Sequence, residues 1–156
     1  MIYSLSFLLA GVLVAVCAWT DIRERTIYNR YTYPAVIIGL ILNILSGRYS
    51  HLSGSLIILG VYLLFFLTGK MGGGDLKLAA ALSLFLGAES VLLGSILAAV
   101  AMMCWGFASA WYKTGKIRGG FLMAAGKLPG GEVPFGAILG PATIMAFIAA
   151  EMLTTG

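Results

Sequence analysis

Apolar residues run along the chain in blocks, and glycines or charged residues separate one block from the next. A helix that crosses the hydrocarbon core of a membrane needs about 20 mostly apolar residues. The pattern predicts six such helices, two of them short, at residues 2–20, 33–45, 54–69, 76–88, 91–112 and 133–153. We therefore expect an all-α fold, a polytopic membrane protein with six transmembrane helices in a single domain over residues 1–156.

The apolar stretch 78–111 decides the number of helices. It contains 34 residues and one charge, Glu89, which lies close to Gly87. A single helix of this length would extend about 51 Å, which is much more than one crossing requires. We expect two helices that turn at residues 87–90, the first of them short for a full crossing.

The basic residues predict the direction of the helices in the membrane. Lys and Arg concentrate in cytoplasmic loops, and with six spans nine of the ten basic residues share one side, whereas Arg48 lies opposite. The nine are Arg23, Arg25, Arg30, Lys70, Lys77, Lys113, Lys116, Arg118 and Lys127. Merging the fourth and fifth spans into one helix would instead leave five basic residues on each side of the membrane. We expect a protein of the cytoplasmic (cell) membrane with basic loops inside and both termini outside.

The composition agrees with this interpretation. Hydrophobic residues make up 60% of the chain and charged residues 10%, against about 25% charged residues in soluble domains. Disordered proteins, nucleic-acid-binding proteins and disulfide scaffolds need more polar, basic or cysteine-rich sequences. We expect membrane lipid around the chain and no nucleic-acid partner, and the sequence predicts no particular oligomeric state.

The only two aspartates of the chain, Asp21 and Asp75, are the first candidates for chemistry. The predicted topology puts both at cytoplasmic ends of spans, and Asp75 directly follows Gly72, Gly73 and Gly74. An ionised carboxylate at membrane depth costs about 2.5–3.5 kcal/mol, so such residues are functional candidates. Two simpler interpretations stay open at this point: Asp75 as a helix cap, and Asp21 as the partner of a nearby arginine.

The two aspartates lie at opposite kinds of helix end. A helix C-terminus disfavours a nearby anion and an N-terminus favours it, so we expect Asp21 to be the more readily protonated and Asp75 the more readily ionised. Two carboxyl groups in opposite protonation states can act as acid and base on one water molecule. If they interact, they titrate as a pair.

The chain lacks the residues that metal or thiol chemistry would need. The chain has one histidine, His51, and no His-Glu-x-x-His or Cys-x-x-Cys sequence, so we expect no metal and no cofactor. Cys17 and His51 lie on opposite sides of the predicted membrane, and Cys104 is interpreted as a small core residue. Catalysis by a serine–lysine dyad stays open as an alternative.

Three segments, in order along the chain, resemble the motifs of one family. Residues 72–77, Gly-Gly-Gly-Asp-Leu-Lys, are similar to the Gly-x-Gly-Asp signature of membrane-embedded aspartic proteases. Residues 21–29, Asp-Ile-Arg-Glu-Arg-Thr-Ile-Tyr-Asn, resemble a segment in which an aspartate and basic residues precede Ile-Pro-Asn. Tyr28 replaces the proline, which we expect to change the turn but not the chemistry. Residues 133–136, Val-Pro-Phe-Gly, resemble a Pro-aromatic-Gly element that opens the last helix. Together they resemble the bacterial type IV prepilin peptidases over nearly the full length.

The resemblance implies an endopeptidase that removes the short, positively charged leader from prepilins or pseudopilins at the cytoplasmic face. Asp21 and Asp75 would be the catalytic pair and would activate water without a metal or a covalent intermediate. The motif glycines Gly72, Gly73 and Gly74 would support the site. Possible neighbours of the site are Lys77, Pro134 and Gly136.

Larger members of that family carry an N-terminal cytoplasmic domain with paired Cys-x-x-Cys motifs, which is linked to N-methylation of the new amino terminus. This chain looks like the short kind, found with tight-adherence pili and, in related form, among archaeal preflagellin peptidases. The resemblance therefore implies cleavage without methylation.

Two other classes stay open. A small proton- or ion-coupled transporter also uses intramembrane acids, although both aspartates lie at one face and no internal repeat is obvious. A structural subunit could pack its helices through the 21 glycines of the chain, which favour close helix contacts. Neither a transporter nor a structural subunit would cut a prepilin leader.

Overall fold

The chain folds into a bundle of α-helices, which a computed structural model describes for residues 2–69, 71–114 and 135–155. The helices within these ranges are α1 (Ile2–Glu24), α2 (Asn29–Leu45), α3 (Tyr49–Leu67), α4 (Gly73–Leu86), α5 (Ala88–Thr114) and α6 (Phe135–Thr155). Each predicted apolar block corresponds to one of these helices, so the all-α prediction is confirmed. The prediction for Pro134 lies outside the described residues.

The long apolar stretch is broken at the position that its length predicts. α4 ends at Leu86, α5 begins at Ala88, and Gly87 between them has a φ of 89°. This is the left-handed region, which glycine enters without the steric penalty of a side chain. The prediction of two helices within residues 78–111 is confirmed.

Helix length separates the described helices into two groups. α1, α3, α5 and α6 are long and apolar enough to cross a membrane. α2 has 17 residues and α4 has 14, so α4 rises about 21 Å, less than the hydrocarbon thickness of about 30 Å. A short helix at membrane depth is tolerated where protein surrounds it. The chain is a membrane protein whose described residues include four helices of crossing length, and six crossings stay a prediction.

α4 is the central helix of the described bundle. It packs against each of the other five described helices, and its residues 81–86 are all buried. A helix that is apolar on every side is typical of such a position. α4 is thus enclosed by its neighbours from Leu78 onward, and Asp75 lies in its partly buried first turn.

The long helices expose apolar side chains on the outside of the bundle, as helices in contact with lipid do. Leu64 on α3 and Met103 on α5 are examples, and both are more than half exposed. Cys104, also on α5, is exposed, so its interpretation as a core residue is wrong. The hydrophobic pattern could not distinguish a lipid-facing position from a core position, because both favour apolar residues.

Candidate active site

Asp21 lies in the last turn of α1 and Asp75 in the first turn of α4, and the two carboxyl groups converge on Gly136 in α6. A Cβ atom built on Gly136 would lie 3.0 Å from Asp21 Oδ2 and 3.0 Å from Asp75 Oδ1. These two oxygens are therefore no farther apart than twice that distance. At such a separation one water molecule can hydrogen-bond both carboxyl groups.

The start of α6 holds Asp21 in place. The backbone N–H of Ala137 donates a hydrogen bond of 2.8 Å to Asp21 Oδ2, and the Asp21 side chain is 7% exposed. The first N–H groups of a helix lack intrahelical acceptors and carry partial positive charge. Asp21 is therefore bound within the bundle, whereas Arg23, its nearest arginine in sequence, lies over the Trp19 ring at 5.1 Å.

Asp75 uses its two carboxyl oxygens differently. The backbone N–H of Gly72, the N-cap of α4, donates to the Asp75 carboxylate, and Oδ2 lies on that side. This is the acidic half of a capping box, so the capping interpretation accounts for one oxygen. The other oxygen, Oδ1, is directed toward Gly136 and Asp21, and a capping role alone does not explain that.

The electrostatic setting of Asp75 favours its neutral form. Asp75 precedes the apolar part of α4 and lies outside the four helices of crossing length. Burial and, after it, the charge of Asp21 together raise the pKa of Asp75 to about 6, although the hydrogen bond from Gly72 acts in the opposite direction. Burial disfavours the charged form of a carboxyl group, and so does a second carboxylate nearby.

The geometry favours the opposite of the protonation states expected from the sequence. That expectation considered only the helix on which each aspartate lies. In the fold, the N-terminus of α6 faces Asp21 and donates to it, whereas burial at Asp75 outweighs the favourable end of α4. The arrangement therefore favours the proton on Asp75 and the charge on Asp21.

The three glycines before Asp75 do not contribute equally. A Cβ atom at Gly74 would lie only 2.8 Å from Ile27 Cβ, and one at Gly72 would lie 3.2 Å from Asp75 Oδ2. At Gly73 the nearest atom, on a ring of α3, is at an ordinary 3.4 Å. The predicted support of the site thus depends most on Gly74, where a side chain has no space.

The predicted neighbours of the site have different outcomes. Gly136 lies at its centre, between the two carboxyl groups. Lys77 instead joins α4 to α2, because its Nζ donates to Asn29 Oδ1 at 2.8 Å and lies 4.9 Å from the Tyr33 ring centre. Lys77 therefore supports the packing of α2 beside the site.

Tyr28 keeps the backbone that a proline would have. Its φ is −76°, within the range of about −65 ± 15° that a proline ring imposes. Its hydroxyl donates a hydrogen bond to Glu24 Oε2 at the end of α1. Proline could therefore adopt the φ of Tyr28, and a side-chain contact that proline could not make supports the turn.

Sequence reasoning missed Ile27 as a residue of the site. It belongs to the segment 25–28 between α1 and α2, and it contacts the glycines at the start of both α4 and α6. The only signal for it was its place in the motif that includes Asp21. A pattern of polar residues does not single out an apolar side chain beside two carboxyl groups.

A cavity of about 520 Å³ lies at the other end of α4, lined by His51, Glu89 and Glu151 among others. Its position beside Gly87 separates it from the aspartates by the length of α4.

Within the part of the chain that the structure describes, no group of three or more His, Cys, Asp or Glu side chains is placed to hold a metal ion.

These features define the protein as a helical membrane protein in which two acidic side chains meet where the ends of three helices converge. Residues 7–107 match the type IV leader peptidase family. Because this is more than half of the chain, the chain belongs to that family and is a peptidase, and the resemblance to prepilin peptidases is confirmed at the level of the family. The match includes Asp21 and Asp75, and α6 lies beyond it. No curated protein and no solved structure gives a significant match.

Proposed function

We propose that the chain is an aspartic endopeptidase that cleaves the leader from type IV prepilins or pseudopilins at the cytoplasmic face of the membrane. Family membership supports leader peptidase activity in general. The aspartic mechanism is supported by one observation above all, the convergence of the Asp21 and Asp75 oxygens on Gly136. The cytoplasmic placement is supported by the side on which the basic loops collect.

In the proposed reaction, water is the nucleophile. Asp21, held as a carboxylate by the Ala137 N–H, accepts a proton from the water molecule as it attacks the carbonyl carbon of the scissile bond. Asp75, in its neutral form, donates its proton to the carbonyl oxygen, which gives a neutral tetrahedral intermediate. When the C–N bond breaks, Asp21 gives its proton to the leaving nitrogen, and the hydroxyl proton returns to Asp75. General acid–base catalysis of this kind contributes about 10²–10⁴-fold to a rate.

The same proposal includes cleavage without N-methylation. The only cysteines of the chain, Cys17 and Cys104, lie on α1 and α5 and form no Cys-x-x-Cys pair. The chain therefore lacks the paired motifs that the resemblance links to methylation. We expect the cleaved pilin to carry a free amino terminus, and a product heavier by one methyl group, formed by the purified protein, would contradict this part.

The proposal is tested by co-expressing the chain with prepilins from the same genome and measuring the mass of each pilin. The expected result is loss of the leader only when the peptidase is present. Cells without the peptidase serve as the control. If purified chain in detergent leaves every prepilin of that genome intact, the proposed activity is wrong, and the transporter interpretation regains weight.

Cleavage is expected to decline as the pH rises above about 6. The active form needs a proton on Asp75, whose pKa is raised to about 6 by burial and by Asp21. A raised pKa keeps the proton to higher pH than usual, and once it is lost both carboxyl groups are charged and no acid remains. Well above that pH the rate falls by about tenfold per pH unit.

The measurement is the initial rate of cleavage in detergent between about pH 5 and pH 9. Thermal unfolding at each pH is the control, because it separates loss of the proton from loss of the fold. A rate that increases steadily from pH 6 to pH 8 would show that Asp75 does not act as the acid.

A further inference from the structure

Ile27 lies between the first turns of two helices that form the candidate site. Its Cβ lies 2.8 Å from the position of a Cβ at Gly74, in the first turn of α4. Its Cδ1 lies 2.5 Å from the position of a Cβ at Gly136, in the first turn of α6. One side chain thus contacts both helix starts, with a different atom at each.

The residues next to these two glycines are the ones that hold the carboxyl groups. Asp75 directly follows Gly74, and Ala137, which donates to Asp21, directly follows Gly136. Through the Ala137 hydrogen bond, the distance between the starts of α4 and α6 therefore affects the distance between the two carboxyl groups. Ile27 is the side chain between those starts, since it contacts both of them.

An isoleucine suits this position for two reasons. Its branched Cβ restricts rotation about χ1, so it holds the helices at a fixed spacing better than an unbranched side chain would. It is also apolar and half-buried against the core, so it offers no hydrogen bond that would compete for either carboxyl group. Because the Cβ of Ile27 contacts α4 and its Cδ1 contacts α6, the length of this side chain also matters.

We propose that Ile27 is a positioning residue of the peptidase, which sets the spacing of α4 and α6 and thereby aligns Asp21 with Asp75. The inference rests on the proposed function, because the alignment of the two carboxyl groups is measured through the rate of leader cleavage. Misplacement of reacting groups by about 1 Å can cost about 10²-fold in rate, so a small change at Ile27 has a measurable effect on kcat.

The test uses the different atoms that Ile27 presents to its two glycines. Gly136→Ala brings a methyl group against Cδ1, which valine lacks, whereas Gly74→Ala brings one against Cβ, which valine keeps. We expect each glycine variant to lower kcat by about tenfold or more with little change in KM. Adding Ile27→Val should then restore kcat about fivefold for Gly136→Ala, and less than about twofold for Gly74→Ala. Restoration is incomplete because the new methyl group still meets both carboxyl groups at 3.0 Å.

Each variant is measured as full-length protein in detergent, and its rate is normalised to the folded fraction obtained from thermal unfolding. Gly60→Ala is the control, because a Cβ there would meet no atom within 4 Å apart from its chain neighbours and its own helix backbone, and it should match the wild type. Equal restoration of both glycine variants by Ile27→Val, or of neither, would overturn the proposal. Failure of the wild type to cleave would overturn the proposed function instead, and the melting temperatures of the same variants would still report the packing of Ile27.

Discussion

Asp21→Asn and Asp75→Asn are each expected to lower leader cleavage by about a thousandfold or more, because the proposed reaction needs one carboxylate and one carboxylic acid. The asparagine in Asp21→Asn cannot accept a proton from water, and the one in Asp75→Asn cannot deliver one to the carbonyl oxygen. The measurement is the rate of leader loss from a prepilin, followed by mass. Residual cleavage of the two single variants and of the double variant should be similar, since the two groups act as a unit.

Both substitutions preserve the shape of the side chain, so a loss of activity is separable from a loss of fold. The amide oxygen in Asp21→Asn can still accept the Ala137 N–H, and the one in Asp75→Asn can still accept the Gly72 N–H. Glu89→Gln is the matched control, because it removes a carboxylate at the other end of α4 and should cleave as the wild type does. Normal cleavage by either aspartate variant would refute the aspartic mechanism.

The pair itself could be predicted from the sequence, because aspartate is rare in this chain and both copies adjoin apolar blocks. Composition and the distribution of basic residues then put both at the same face. The break at Gly87 could also be predicted, since a mostly apolar stretch of 34 residues is longer than one membrane crossing requires. These inferences depend on the length and the periodicity of nearby residues, which a sequence displays directly.

The contacts that influence the protonation of the two aspartates could not be predicted from the sequence, because they come from helices that are distant along the chain. Ala137 lies 116 positions from Asp21, and without that contact the end of α1 suggested the opposite proton holder to the one that the geometry favours. Ile27 was missed for a similar reason, since its role depends on which two glycines it meets. The position of α4 was not predictable either: its apolar residues predict a crossing, but its length and its five described neighbours favour a buried helix that is shorter than the hydrocarbon core is thick.

Gly94→Ala is expected to destabilise the protein by about 1–3 kcal/mol or more, the range for adding atoms to a well-packed core. α5 and α6 share the most extensive contact among the described helices, and Gly94 lies within it. A Cβ there would lie 2.5 Å from Thr143 Cα and 2.7 Å from Thr143 N. These are backbone atoms of α6, which cannot rotate away as the end of a side chain can, so the helices would have to separate.

Separation of α5 from α6 matters more in lipid than it would in water. Little hydrophobic force draws helices together in a bilayer, and close approach at small residues supplies the packing instead. Because α6 carries Gly136 and Ala137, a displaced α6 also withdraws the hydrogen bond that holds Asp21. We therefore expect cleavage by Gly94→Ala to fall together with stability, unlike in the aspartate variants, where the fold is kept.

The measurement for Gly94→Ala is unfolding in detergent by heat or denaturant, with cleavage assayed on the same sample. Gly60→Ala on α3 is again the matched control, since the same methyl group there meets open space and a helix gains propensity when alanine replaces glycine. The control should unfold at or above the temperature of the wild type. If Gly94→Ala were equally stable, the close backbone contact of α5 with α6 could not be what holds α6 against Asp21, and the position of the last helix would need another explanation.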